Sequence, residues 1–328
     1  METVTAHTGE VGLSGVAGLL APRRHDLGEL ADAGLLTSSV EALTALGFER
    51  AHICDPDYLP EEMALDAARA ALGDAGLQPY EVDLVVWASA RPEGHVRSGP
   101  STGRFAGCDP MRGFRYTSAW LQEVLGLHNA EVMAVAQQGC STMFAALRVA
   151  RSLLLAEPGR QHALCVGVDV LPSGACREIL YNVISDAACA VVLSRGCLRE
   201  KWLGFTQISR GYYCDPTACG PEIVAAYFPT AKVVIDRLLR EHGLQPGDID
   251  VVVPTGVSRS SWDILLRLVG ISPDRLHVGL PSFGHTITAD SFLYLEELRR
   301  LGQVPRGSRL LLFTYGFGSS WCGLLLEH

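Results

Sequence analysis

Short, unbroken apolar runs alternate with longer stretches of helical periodicity along most of this chain. Val82-Asp-Leu-Val-Val-Trp-Ala-Ser89, Met133–Ala136, His162–Leu171 and Ala187–Leu193 read as buried strands, with a weaker strand signal over Val11–Leu20. Met63–Leu77 reads as an amphipathic helix: it is Ala-rich, Glu61 and Glu62 stand at its start, and Gly76 ends it. Helices are also expected over residues 118–126 and 288–301, and polar helical stretches contain Leu27–Leu30 and Val40–Leu43. Residues 91–117, rich in Gly, Pro, Arg and Ser, read as a long loop. Strands alternating with helices imply an α/β protein whose parallel sheets are covered by helices.

The second half of the chain replays the first. Ala75-Gly-Leu-Gln-Pro-Tyr-Glu-Val-Asp-Leu-Val-Val86 matches His242-Gly-Leu-Gln-Pro-Gly-Asp-Ile-Asp-Val-Val-Val253. Both are a helix end, a turn and a buried strand. Downstream, the strand leading to Gly139-Cys140 has its counterpart in Leu276-His-Val-Gly-Leu-Pro-Ser-Phe-Gly284-His285, and a helix follows each. Gly159–Gly167 similarly answers Gly307–Phe313. The chain therefore divides into halves over 1–172 and 173–328, with Cys140 and His285 at equivalent strand-to-helix junctions.

That placement is chemically suggestive for Cys140. The first N–H groups of a helix and the positive end of its dipole favour a thiolate, the nucleophilic form of the side chain. The alternative is a small buried apolar cysteine, which suits the other nine of the ten. Ten cysteines dispersed over 328 residues do not make a disulfide framework, and Cys214 and Cys219 lack partners at metal-site spacing, so no metal is expected. Charged residues are 19% and the net charge is −9, which disfavours nucleic acid or an anionic membrane as partner. No basic-then-apolar leader and no apolar run of 18 residues is seen, and a reduced, soluble, cytoplasmic protein is expected.

The duplicated half, the cysteine after the third strand, Ile184-Ser-Asp-Ala-Ala-Cys-Ala-Val-Val-Leu193 and the terminal Tyr315-Gly-Phe-Gly-Ser-Ser-Trp321 resemble the thiolase superfamily, in its ketoacyl-acyl-carrier-protein synthase III branch. The resemblance runs almost end to end, from Phe48-Glu-Arg-Ala-His-Ile53 to the last strand. It implies two pseudo-repeated α/β halves packed as five αβαβα layers, and a homodimer. The usual pattern of that branch is a Cys–His–Asn triad, with His in a Val-Pro-His segment and Asn in a Gly-Asn-Thr segment. Here the segments are Val253-Pro254-Thr255 and Gly284-His285-Thr286. The first His is gone, and a His stands where Asn is expected. In condensing members the His and Asn stabilise the enolate formed when a malonyl thioester loses carbon dioxide. A ketosynthase-III-like acyltransferase subgroup instead pairs Cys or Ser with a His at the Asn position and an Asp five residues on. Gly284-His285-Thr-Ile-Thr-Ala-Asp290 has that spacing.

The resemblance thus implies a Cys140–His285–Asp290 triad, with the Cys140 and Gly318 N–H groups as oxyanion hole. The implied activity is acyl transfer in secondary-metabolite (antibiotic) biosynthesis, from a carrier-protein thioester through acyl-Cys140 to a hydroxyl, amine or carrier thiol. The donor arm is the phosphopantetheine of an acyl carrier protein, or coenzyme A, with no permanently bound cofactor. The Trp and Arg that hold the coenzyme's adenine in relatives are missing from Ser38–Leu46, which favours a carrier; Arg240, Arg259 and Arg267 are candidate docking residues. Two rival readings stay open, a priming ketosynthase that forms a carbon–carbon bond and a non-catalytic subunit of a heteromeric synthase. Simpler roles also stand: His285 as a loop histidine, Asp290 as a capping acid, Gly316 and Gly318 as turn glycines, Asn182 and Asp186 as structural residues.

Overall fold

The computed structural model describes residues 10–90, 116–277, 279 and 283–328; the loop expected over 91–117 lies outside the described residues up to 115. Its spine is a nine-stranded sheet in the order β11-β12-β13-β10-β1-β9-β6-β4-β5. The strands are β1 (Val11–Leu20), β4 (Leu84–Ala88), β5 (Glu131–Val135), β6 (His162–Asp169), β9 (Ala187–Arg195), β10 (Lys201–Ser209), β11 (Val251–Val253), β12 (Arg309–Gly316) and β13 (Ser320–Glu327). Two short sheets stand apart, β2 (Arg23–Asp26) with β3 (Arg50–Ile53), which are joined through the short helices α1 (Leu27–Asp32) and α2 (Val40–Ala45), and β7 (Glu178–Ile179) with β8 (Asn182–Val183).

The sequence repeat is visible in the strand order. Outward from the β1–β10 junction, one side runs β9, β6, β4, β5 and the other β13, β12, β11, with Leu276 bridging β11 where the next strand would lie. The two half-sheets meet at the single pair Gly12↔Lys201. Strand β9 begins beyond residue 172 yet pairs with both β1 and β6. Strand pairing thus divides the halves at the turn between β9 and β10, not at 172/173.

Alternation along the strands builds the layers. Ala163 and Cys165 of β6, Leu310 and Leu312 of β12, and Cys322 and Leu324 of β13 face one shared core. Between the half-sheets in that core lie α5 (Thr142–Ala156) and α8 (Asp290–Leu301), the helices that follow the two matched junctions. Their Phe144 and Phe292 rings meet with centroids 5.7 Å apart. Residues Gly139–Ala156 are long and apolar enough to cross a membrane by composition. Here Met143, Phe144, Leu147, Ala150 and Leu154 bury that stripe between the sheets instead. Leu164 and Val166 face the opposite way, under α3 (Pro60–Ala75) and α4 (Thr117–Leu125). Leu311, Phe313 and Leu325 lie under α6 (Gly220–Glu241) and α7 (Arg259–Val269). The result is five layers, α/β/α/β/α. Each fully buried Leu or Phe contributes about 1.5–3 kcal/mol of transfer energy.

Strand β5 differs from expectation. It is at the edge of the sheet, with Glu131 and Ala134 exposed and the rest half-buried. Near the site the loops are tied by a buried carboxylate. Asp186 accepts from the Cys54 and Leu171 N–H groups, each at 2.9 Å, and pairs with Arg177, both side chains at most 2% exposed. Replacing Asp186 with Ala strands a buried guanidinium. We expect a loss of about 3–5 kcal/mol, read as a lower urea midpoint of unfolding.

Candidate active site

The segment between β5 and α5 makes the tight turn that presents Cys140. Gly139–Ser141 form one turn of 3-10 helix that runs directly into α5. The Ser141 and Thr142 hydroxyls hold it by donating to the Gln138 and Gly139 carbonyls, both at 2.6 Å. Gly139 has φ +51°, and a Cβ there would fall 2.3 Å from the Phe317 nitrogen. Gly316, at the end of β12, approaches from the other side: a Cβ on it would lie 1.9 Å from the Gln138 carbonyl oxygen and 2.8 Å from the Cys140 nitrogen. The glycines of the C-terminal motif are therefore required by backbone-to-backbone contact with the cysteine turn.

The structure brings Cys140, His285 and Asp290 into one chain of hydrogen bonds. Cys140 Sγ lies 3.3 Å from His285 Nε2, and His285 Nδ1 lies 2.5 Å from Asp290 Oδ2. Sulfur and imidazole come from opposite halves of the repeat. The imidazole is seated by its own backbone, whose N–H donates to the Val183 carbonyl and whose carbonyl accepts from the Ser185 N–H, both at 2.8 Å. Asp290, 1% exposed at the start of α8, also accepts from the Gly256 N–H (2.6 Å), the Thr286 N–H (2.6 Å) and the Thr286 hydroxyl (2.7 Å). Burial pushes this carboxyl up, but the His285 charge and these donors outweigh it and hold its pKa below the ordinary value. Burial likewise disfavours the imidazolium. The Asp290 carboxylate and Cys140 overcome that, and the His285 pKa stands well above the usual histidine value.

The sulfur opens into a cavity of about 640 Å³, lined also by Thr255, His285 and Gly318. Thr255 is 3% exposed and its carbonyl accepts from the Trp262 indole at 3.0 Å; the position holds no ring donor. Gly318 (φ +95°) is in the cavity wall beside the cysteine turn. Arg259 is ion-paired to Asp263 at 3.0 Å and stands against Gly47, next to the cavity residues Leu46 and Ser260. Arg240 is at the far end of α6, roughly 18 Å along the helix from that helix's cavity-lining residues. Arg267 is exposed toward the end of α7, further from the cavity than Arg259.

Sequence reasoning missed two parts of this wall. One is the start of α6, where Ile223 and Tyr227, spaced i and i+4, face the cavity together. Burial, reinforced by Tyr315 and Cys140, pushes the Tyr227 hydroxyl far above its usual pKa, so it remains a donor. The helical spacing was available as a signal. The other is the β7–β8 hairpin, whose Leu180, Tyr181 and Asn182 reach the same cavity. Asn182 does close its turn, donating to the Ile179 and Leu180 carbonyls at 3.1 Å, as its structural reading implied.

Known proteins share this architecture. A family model described as 3-oxoacyl-[acyl-carrier-protein] synthase III C terminal matches residues 239–328. A beta-ketoacyl-[acyl-carrier-protein] synthase III of Sphingopyxis alaskensis is 27% identical, over 96% of this chain and 98% of its own. The 3-oxoacyl-[acyl-carrier-protein] synthase III structure of Aquifex aeolicus superposes with TM-score 0.82 at 22% identity, covering 97% of this chain and 100% of its own. That of ChlB3, described as an acyltransferase, gives 0.80 at 19% identity, with 97% of each chain covered. The chain is a thiolase-fold protein. In sequence it is similar over nearly its whole length to ketoacyl-acyl-carrier-protein synthase III proteins.

Two outcomes follow from the geometry. In Asp290→Asn the carboxylate that offsets burial is gone, so the His285 pKa falls from well above the usual histidine value toward or below it; titration of the His285 ring signals by NMR reads this shift. In Gly316→Ala the added methyl displaces the cysteine turn, and alkylation of Cys140 by iodoacetamide slows at least about tenfold, as expected for misplacing a reacting group by an ångström.

Proposed function

We propose that the protein is an acyltransferase working through an acyl-Cys140 intermediate. The observation that carries this reading is the base: a single imidazole, set between a thiol and a buried carboxylate, with threonine where condensing relatives place a second histidine. In the first half-reaction the Cys140 thiolate attacks the carbonyl carbon of an acyl thioester. The oxyanion is held by the Cys140 and Gly318 N–H groups, and the C–S bond to the donor breaks as His285 returns a proton to the leaving thiolate. In the second, an acceptor hydroxyl, amine or thiol gives its proton to His285 and attacks the acyl-cysteine, expelling the Cys140 thiolate. Asp290 fixes the imidazole tautomer and stabilises the imidazolium, as the acid does in hydrolytic triads.

The donor is an acyl group on the phosphopantetheine of an acyl carrier protein. The names of the sequence relatives support a carrier, and Arg259 near the cavity supplies one cation for it. The cytoplasm is the compartment in which such carriers work. The placement in secondary-metabolite biosynthesis rests on the His285–Asp290 spacing shared with the acyltransferase subgroup. The chain acts as a homodimer, a reading supported by β5, whose outer edge has no neighbouring strand among the described residues.

The relatives' names favour a second reading, condensation. Malonyl-carrier assays separate the two. Acyl transfer gives a Cys140-dependent adduct in intact-protein mass spectrometry and an ester, amide or thioester product, with no carbon dioxide released. Release of carbon dioxide with a β-ketoacyl product overturns it, and absence of any adduct supports a scaffold role. Cys140→Ala abolishes the adduct. Asp290→Asn keeps the shape but presents the wrong tautomer, and lowers the transfer rate on the order of 10⁴-fold.

A further inference from the structure

The β7–β8 hairpin carries a conformational anomaly at the edge of the cavity. Glu178 pairs with Val183 and Ile179 with Asn182, which leaves Leu180 and Tyr181 as a two-residue turn. Their φ angles are +46° and +65°. A turn with both central residues in this region belongs to Asn and Gly, and a branched or bulky residue there is strained. The strain achieves no burial. Leu180 is 43% and Tyr181 64% exposed, and both line the cavity that ends at Cys140. Strain that persists without a folding gain is a feature of ligand-contacting segments.

The turn is held from below by bonds that the site shares. Glu178 accepts from the Thr37 and Ser38 N–H groups, each at 2.8 Å, and from the Ser38 hydroxyl at 2.6 Å. Arg177 donates its backbone N–H to the Leu35 carbonyl at 2.7 Å and is locked to Asp186. On the other strand, Val183 and Ser185 bracket the His285 backbone. The strained tip is two residues from a backbone bond to the base, so its position relative to the imidazole is fixed.

We propose that Leu180 and Tyr181 are the residues that recognise the acyl-bearing pantetheine arm where it enters the cavity, pressed into the left-handed region so that two apolar side chains meet that arm. This rests on the reading that a thioester is delivered to Cys140. Both line the cavity that also holds Cys140, so a long thioester-linked chain that fills it meets them. They specify substrate and take no part in the chemistry.

The test uses the full chain and S-butyl-pantetheine, a thioether that cannot transfer an acyl group. The thioether's protection of Cys140 against iodoacetamide is measured in the unaltered protein and in Leu180→Asn/Tyr181→Gly. The substitution supplies the residues this turn prefers, so the melting temperature rises, and each protein's own alkylation rate without the thioether is its reference. The thioether concentration for half-protection rises about tenfold or more, equivalent to losing one well-buried contact. Tyr181→Phe, which keeps the ring, protects normally. Equal half-protection in both proteins overturns the proposal, as does absence of protection in the unaltered protein. Should the double variant melt lower, Leu180→Ala and Tyr181→Ala carry the same comparison. Because the thioether transfers nothing, these readouts are separate from the acyl-adduct assay that tests the transferase reading.

Discussion

A buried carboxylate sets the terms for this site. Asp290 is almost completely enclosed, and an ionised carboxylate in that position is costly unless its lone pairs are filled. Four donors from three places meet it: the Gly256 N–H ahead of α7, the Thr286 N–H and hydroxyl, and the imidazole of His285. Satisfying the charge therefore fixes the loop after β11, the loop before α8 and the ring orientation together. Gly256 must be glycine for this to close, since a Cβ on it would sit 2.7 Å from the Gly284 carbonyl oxygen and 2.8 Å from the His285 Cα. The imidazole has one nitrogen left, and it faces the sulfur.

The duplicated fold brings the sulfur to that nitrogen. In each half a glycine with positive φ stands ahead of the middle-layer helix, Gly139 before α5 and Gly284 before α8. The two helices lie in the same layer and touch through Phe144 and Phe292. Junctions at equivalent positions in facing copies thus converge on one cavity. The Gly316–Gly318 turn closes it by resting on the cysteine turn from the second half-sheet. The active arrangement is a consequence of how two copies of one motif pack.

This explains which parts were legible in the residues alone. The matched segments before β4 and β11, and the strand-to-helix junctions, are local patterns that the half-sheets preserve, so the architecture and the Cys140–His285 pairing could be read from spacing. Asp290 was legible only through family spacing, because an acid in the first turn of a helix is unremarkable by itself. Strand β5 misled because an apolar run does not distinguish a central strand from an edge strand, and β9 was assigned to the wrong half because pairing partners are non-local. The hairpin was illegible for a sharper reason. Leu180-Tyr181 contradicts the residue preferences of the turn it forms, and local inconsistency of this kind concentrates where function overrides propensity.

The proposed preference for transfer over condensation draws on what Thr255 leaves out. Stabilising an enolate by the family's usual route takes two ring or amide donors converging on one carbonyl oxygen. Here one imidazole is engaged by Asp290 on one side and by sulfur on the other, and a buried Thr255 stands at the second position. A histidine held toward its charged form can return a proton to a departing thiolate. Under the proposed acyl transfer, acylation takes away the Cys140 interaction that, with Asp290, raises the His285 pKa, and so makes the ring a better base. Burial, which disfavours the imidazolium throughout, pushes in the same direction at that moment. On the proposed reading, acylation of Cys140 would thus turn His285 from acid to base, the order that a two-step transfer needs.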